Sequence, residues 1–116
     1  MATIKEFETA IGNYKGKIIK NNIGLPDDYV TEMQTEWLCG YVGIDKSHPL
    51  FGKNADDCDF DVHGGVTFDG FFEDDPDTFY IGFDCHHLYD TIELWDEQYV
   101  AQEIEKLAKQ IYAKEE

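Results

Sequence analysis

The chain has 116 residues, 42% of them hydrophobic and 15% aromatic, and a formal net charge of −16 at pH 7. That is the length of one domain with ample material for a packed core, which excludes a disordered acidic tail. Its 9 basic residues are all lysine and face 25 Asp/Glu, so it can neutralise few phosphates, and neither direct nucleic-acid binding nor docking on an anionic membrane is expected.

The charge is concentrated. From Asn54 to Glu105 there are 16 acidic residues and no lysine, whereas the rest of the chain is neutral. A basic protein surface is the natural complement of such a field, because opposite potentials steer encounter. No apolar run reaches the ~18 residues of a spanning helix. The N-terminal MATIKEFETA lacks the basic-then-apolar pattern of a signal peptide. The three cysteines, Cys39, Cys58 and Cys85, are odd in number and widely spaced, which suits reduced thiols. A cytoplasmic single domain over 1–116 is the expectation.

In chain order, Ile4, Phe7 and Ile11 have helical spacing and predict a short N-terminal helix ending near Gly12. Lys15 to Lys20 (KGKIIK) is short and basic, and Asn21-Asn22 and Gly24-Leu25-Pro26 break the chain. Pro26 could open a second short helix running through Met33. Trp37 to Ile44 (WLCGYVGI) reads as a buried strand. His48-Pro49 and Gly52 mark a loop. Asp59 to Val62 and Val66 to Phe72 read as two strands of a hairpin around His63-Gly64-Gly65. Glu73 to Asp77 reads as a polar turn around Pro76, and Thr78 to Cys85 as a central strand followed by a loop over His86 to Thr91. Asp96 can cap a helix running to about Ala113, with Val100, Ile104, Leu107 and Ile111 on one apolar face. The sum is an α+β fold: a small antiparallel β-sheet of three to five strands with a C-terminal amphipathic helix packed on one face.

Two polar clusters stand inside the acidic window, DVHGGVTF (Asp61 to Phe68) and IGFDCHHLYD (Ile81 to Asp90). Gly64 and Gly65 permit positive φ and close backbone approach, and successive amides in such a turn can cup an anion. The same glycines also suit a plain tight turn. Cys58, His63, Cys85 and His87 are donors of the zinc-binding type, yet no metal-ligand spacing recurs, and no metal or other cofactor is expected. A Cys85/His87 nucleophile–base pair is disfavoured, because an acidic field raises a thiol's pKa. The aromatics Tyr41, Phe68, Phe71, Phe72, Tyr80, Phe83 and Trp95 are mostly core by alternation, although one could stack on a flat ligand.

The ordered pieces GYV (Gly40 to Val42), HPLFG (His48 to Gly52), HGGVTF (His63 to Phe68), GFDCHHLYD (Gly82 to Asp90) and a C-terminal helix resemble a family of small uncharacterised bacteriophage and prophage proteins. The resemblance spans about residues 37 to 112. It implies a phage setting and a site at the shared polar positions, and no particular reaction. On that basis the chain is expected to be a non-enzymatic counter-defence binding protein acting in the host cytosol. It would hold a small polar, nucleotide-like ligand at the HGG turn and the end of the GFDCHH strand. His63 and His87 would donate hydrogen bonds, Gly64 and Gly65 would offer amides, Thr67, Asp84 and Asp90 would supply polar contacts, and Tyr41 would stack. Two alternatives stand beside it. One is an acidic nucleic-acid mimic that covers a basic host protein surface. The other is a small hydrolase or metal-dependent enzyme using His63, His87 and Asp90. An oligomer is compatible with each.

Overall fold

The computed structural model describes residues 2–22, 36–53, 60–62, 65–84 and 97–115. Five strands, β1 (Ala2–Glu8), β2 (Lys15–Asn22), β3 (Glu36–Ile44), β4 (Phe68–Phe72) and β5 (Asp75–Asp84), are followed by one helix, α1 (Glu97–Ala113). They form one antiparallel sheet in the order β1-β2-β3-β5-β4, with α1 packed across β2 and β3. The expected α+β architecture is therefore present. Among the described residues no helix is long and apolar enough to cross a membrane.

Both faces of the sheet are buried. Toward the helix, Ile18, Leu38, Val42, Ile44, Phe79, Ile81 and Phe83 meet Val100, Ile104, Leu107 and Ile111 of α1. On the face turned away from the helix, here the far face, Ile19, Cys39, Tyr41 and Tyr80 form a second cluster with Trp37, Phe68 and Phe72. Because side chains alternate along a strand, burial on two faces turns β3 and β5 into near-continuous apolar runs and sets the buried Ile18 and Ile19 side by side in β2. The far-face cluster is aromatic: Tyr41 stands edge-on to Phe68 and Phe72 at 5.4 and 5.1 Å, and Phe68 and Phe72 stack at 5.3 Å.

The glycines of β3 and β5 make this double packing possible. Gly40 pairs with Phe83, and Tyr41 pairs with Gly82. The two Gly-aromatic dipeptides thus run antiparallel, and each glycine lies under the ring of the other strand. A Cβ on Gly40 would meet the Phe83 ring at 2.6 Å and Ile104 at 3.0 Å; one on Gly82 would meet the Tyr41 ring at 2.3 Å and the Gly40 carbonyl oxygen at 2.8 Å. One pair serves the helix face and the other the far face, so aromatic rings cover the backbone that the glycines leave bare.

Four expectations are corrected. The N-terminal segment is strand β1, not a helix. A bulge between Thr3 and Lys5 shifts alternation by one residue, leaving Ile4 42% exposed and placing it three residues before the inward Phe7, which imitates helical spacing. Ile11 belongs to the turn that joins β1 to β2, where Gly12 and Asn13 take φ of 83° and 52°. Residues 60–62 are not a strand, and β4 pairs with β5 instead of forming a hairpin around the HGG turn. The Asp61 backbone is satisfied by a helix side chain: its N–H donates to Gln110 Oε1 and its carbonyl accepts from Gln110 Nε2, both at 2.7 Å. Phe60 and Val62 are thereby held in the helix-side core. The tight turn is Glu73–Asp74, with Phe72 facing Asp75; Pro76 lies inside β5, in a stretch where neither register assigns a partner, so its missing N–H costs no ladder bond. Finally, β5 is an inner strand, but the central position belongs to β3. The expected helix over Pro26 to Met33 and the loop over His86 to Thr91 lie outside the described residues.

Candidate functional site

Of the residues singled out from the sequence, His63, Gly64, His87 and Asp90 lie outside the described residues, as do Cys58 and Cys85. Gly65, Thr67, Tyr41 and Asp84 are described. Gly65 closes a turn, its N–H donating to the Val62 carbonyl at 2.8 Å. It takes φ of 80° with open space where a side chain would be. The exposed Thr67 is fixed by its backbone N–H, which donates to the Gly82 carbonyl at 2.9 Å. Asp84 ends β5, opposite Cys39. Tyr41 is 6% exposed; its phenol is pushed up by burial, then by Cys39 and by the Asp84 carboxylate. Tyr41 and Asp84 thus share the far face with Gly82, whereas Thr67 reaches Gly82 through its backbone alone. The Tyr41 ring fulfils a packing role there, over Gly82 and between Phe68 and Phe72.

His48, part of the HPLFG piece, is structural. Its Nδ1 accepts the Leu50 N–H at 3.0 Å, so the ring proton sits on Nε2, which donates to the Ile111 carbonyl at 2.9 Å. A side chain from the loop after β3 thereby adds a second donor to a carbonyl in the last turn of α1 that also accepts the Lys114 N–H at 3.0 Å.

No protein-family model matches the chain, and neither a curated protein nor a solved structure matches it.

The most developed polar arrangement among the described residues lies at the other end of the far face. Lys17 of β2 points into the aromatic cluster and is 3% exposed. Its Nζ lies 4.5 Å from the centre of the Phe72 ring and 5.5 Å from that of Tyr80. Its carboxylate neighbours are Glu6 of β1 at 3.8 Å and Asp74 of the β4–β5 turn at 3.5 Å. One ammonium therefore bridges the two margins of the sheet, which curl toward each other across the far face. Beside it, Asp75 accepts from Lys15 Nζ at 3.0 Å, Tyr80 Oη at 2.8 Å and Thr78 Oγ1 at 2.9 Å. Burial acts to raise the Asp75 carboxyl, but these three donors outweigh it and hold it below its ordinary value. The Tyr80 phenol is pushed up, first by burial and then by its bond to Asp75.

This arrangement went unread in the sequence. The signal was present as Lys15, Lys17 and Ile19 at alternate positions, which places two cations and an apolar residue on one face of a strand. Both lysines stand beside carboxylates, and Asp75 has three donors. Among the described residues no group of three or more His, Cys, Asp or Glu is placed to hold a metal ion.

Proposed function

We propose that the protein is a non-enzymatic binding protein whose acidic surface covers a basic surface of a partner protein, in the manner of a nucleic-acid mimic. The observation that carries the reading is the state of the charges around Lys17. Glu6 and Asp74 stay 67% and 73% exposed while the cation between them is buried. The neighbouring Asp69, Glu73 and Asp77 are exposed as well. Of the lysines nearest this margin, Lys17 is buried in the cluster, and Lys15, 63% exposed, is paired with Asp75, so the exposed acids outnumber the exposed cations and the outward field is negative. Complementary fields of this kind set encounter rate and partner choice.

A second reading keeps the small polar, nucleotide-like ligand at the HGG turn and the end of the GFDCHH strand. It is favoured by the proximity of Tyr41 and Asp84 on the face of Gly82 and by the positive φ of Gly65. In the phage setting that the sequence resemblance implies, either activity would serve counter-defence in the host cytosol.

The test is displacement of labelled duplex DNA from a histone-like bacterial DNA-binding protein. Under the acidic-surface reading, the protein releases the duplex, release weakens steeply with added salt, and the His63→Ala/His87→Ala double variant performs like the parent. No release, release that persists at high salt, or release that disappears in the His63→Ala/His87→Ala variant refutes it; the pocket reading expects no release.

A further inference from the structure

Two grooves flank Lys17 on the far face. One, of about 620 Å³, lies between Thr3 of β1 and Phe71, Glu73 and Asp74 of the β4–β5 hairpin, with Ile19 and Phe72 also in its lining. The other, of about 380 Å³, runs along Glu6 and Glu8 of β1 toward Lys15, Asp75 and Tyr80. Lys17 lines both. Together they form one seam between the two margins of the sheet, since β1 and β4 are its outermost strands. The lining is apolar at Ile19 and Phe72, while Phe71 borders it with its ring turned to Phe51 and Phe79 on the helix side. Acids stand along both walls: Glu6, Glu8, Glu73, Asp74 and Asp75 face the two lysines Lys15 and Lys17, and Lys15 is paired with Asp75.

We infer that this seam is a docking groove for an extended, lysine- or arginine-bearing segment of a partner protein, with its cations at alternate residues. The inference rests on the acidic-surface reading and assigns that surface a place and a partner geometry. Three features carry it. One wall runs along strand β1 through Thr3, Glu6 and Glu8, so the groove is linear and favours an extended chain. Glu6 and Glu8 are two residues apart on one strand and share a face, so their spacing of roughly 7 Å equals that of alternate side chains of an extended peptide. The surplus of carboxylates over the ammonium groups of Lys15 and Lys17 makes cations the complementary charge, and the aromatic lining already accommodates one ammonium beside Phe72 and Tyr80.

The experiment uses two labelled peptides of about ten residues and equal composition, roughly 33 Å when extended. In one, Lys and Thr alternate; in the other, the lysines form a block. Affinity is measured by fluorescence anisotropy, and the site is mapped by amide shifts of the full chain. The alternating peptide is expected to bind about tenfold more tightly than the blocked one and to shift the amides of Thr3, Glu6, Phe71 and Asp74. Glu8→Lys with Glu73→Lys reverses one charge on each wall and leaves Glu6 and Asp74, the partners of Lys17, in place. That double variant should lose about tenfold or more of the affinity, with its circular dichroism unchanged. Equal binding of the two peptides, shifts confined to other surfaces, or indifference to the double variant overturns the seam. If the protein meanwhile still displaces DNA from the histone-like protein in a salt-sensitive way, only the seam has failed. If neither the displacement nor peptide binding occurs, the acidic-surface reading falls and the seam falls with it.

Discussion

Gly82→Ala tests the reciprocal Gly-aromatic packing on which the two-faced sheet depends. The new methyl would stand 2.3 Å from a Tyr41 ring carbon and 2.8 Å from the Gly40 carbonyl oxygen. The first neighbour can yield only if the ring turns, and Phe68 and Phe72 hem it at 5.4 and 5.1 Å. The second neighbour is backbone of the central strand. Overpacking of this kind costs about 1–3 kcal/mol, and with a backbone atom involved the upper end applies. Restricting the unfolded chain offsets about 0.4–1 kcal/mol of it. The net expectation is a loss of ~2 kcal/mol, or a fall in Tm of roughly 8 °C for a domain of this size. Tyr41→Ala alone should cost about 3–5 kcal/mol through the cavity it opens.

The two changes should not add. With the ring gone, the methyl introduced at position 82 keeps only its contact with the Gly40 carbonyl, so the double variant should be more stable than the sum of the singles by at least ~1 kcal/mol. Urea unfolding followed by tryptophan fluorescence measures all four corners of the cycle. Additivity within about 0.5 kcal/mol, or a Gly82→Ala variant as stable as the parent, would refute the packing argument and free Tyr41 for another role.

Two further outcomes follow from single contacts. His48→Ala should cost about 1–2 kcal/mol in urea unfolding, because it strips the Leu50 N–H of its acceptor and leaves the Ile111 carbonyl with the Lys114 N–H alone; hydrogen exchange at the Leu50 amide should rise in step, and an unchanged amide would refute the assignment. The Asp75 carboxyl is held below its ordinary value, so its contribution to stability is complete above about pH 4, the unfolded range, and is lost as pH falls through the lower folded value. Asp75→Asn should therefore flatten the acid limb of the urea midpoint against pH, and a limb that keeps the parent's slope would count against the network.

The sequence made plain those elements in which one physical signal acts alone. In α1 the apolar period and the acidic first turn agree, and the helix lies within a residue of its expected limits. In β3 and β5 unbroken apolar runs marked strands buried on both faces. The failures arose where tertiary partners supply what local pattern cannot. The bulge in β1 turned a period of two into an apparent period near three and a half. The Asp61 backbone finds its partner in Gln110, 49 residues away in sequence, so no local rule could reveal that the segment is not a strand. The family-like signature is likewise two things at once. Gly40, Tyr41, Gly82 and Phe83 are explained by cross-strand packing, and His48 by the end of the helix. That leaves Thr67, Asp84 and the residues around them as the part of the pattern that packing does not account for.

Lys17 joins the fold to the proposed function, and its energetics are asymmetric. Its aliphatic stem and ammonium lie against Phe72 and Tyr80 and are buried, whereas its two carboxylate neighbours face solvent. Removing the cation leaves Glu6 and Asp74 free to hydrate, and Lys17→Met keeps most of the stem packing; its cost should stay within about 1 kcal/mol. Removing the carboxylates strands a buried charge. Glu6→Gln with Asp74→Asn should cost roughly 1–2 kcal/mol, less than a fully buried pair because both acids are exposed. Adding Lys17→Met to that double variant should restore much of the loss. The reverse order, with Lys17→Met the costlier change, would mean that the cation itself holds the sheet margins together. With the expected order, the aromatic cluster holds the margins, the ammonium is tolerated within it, and the surrounding acids keep their charge available to a partner.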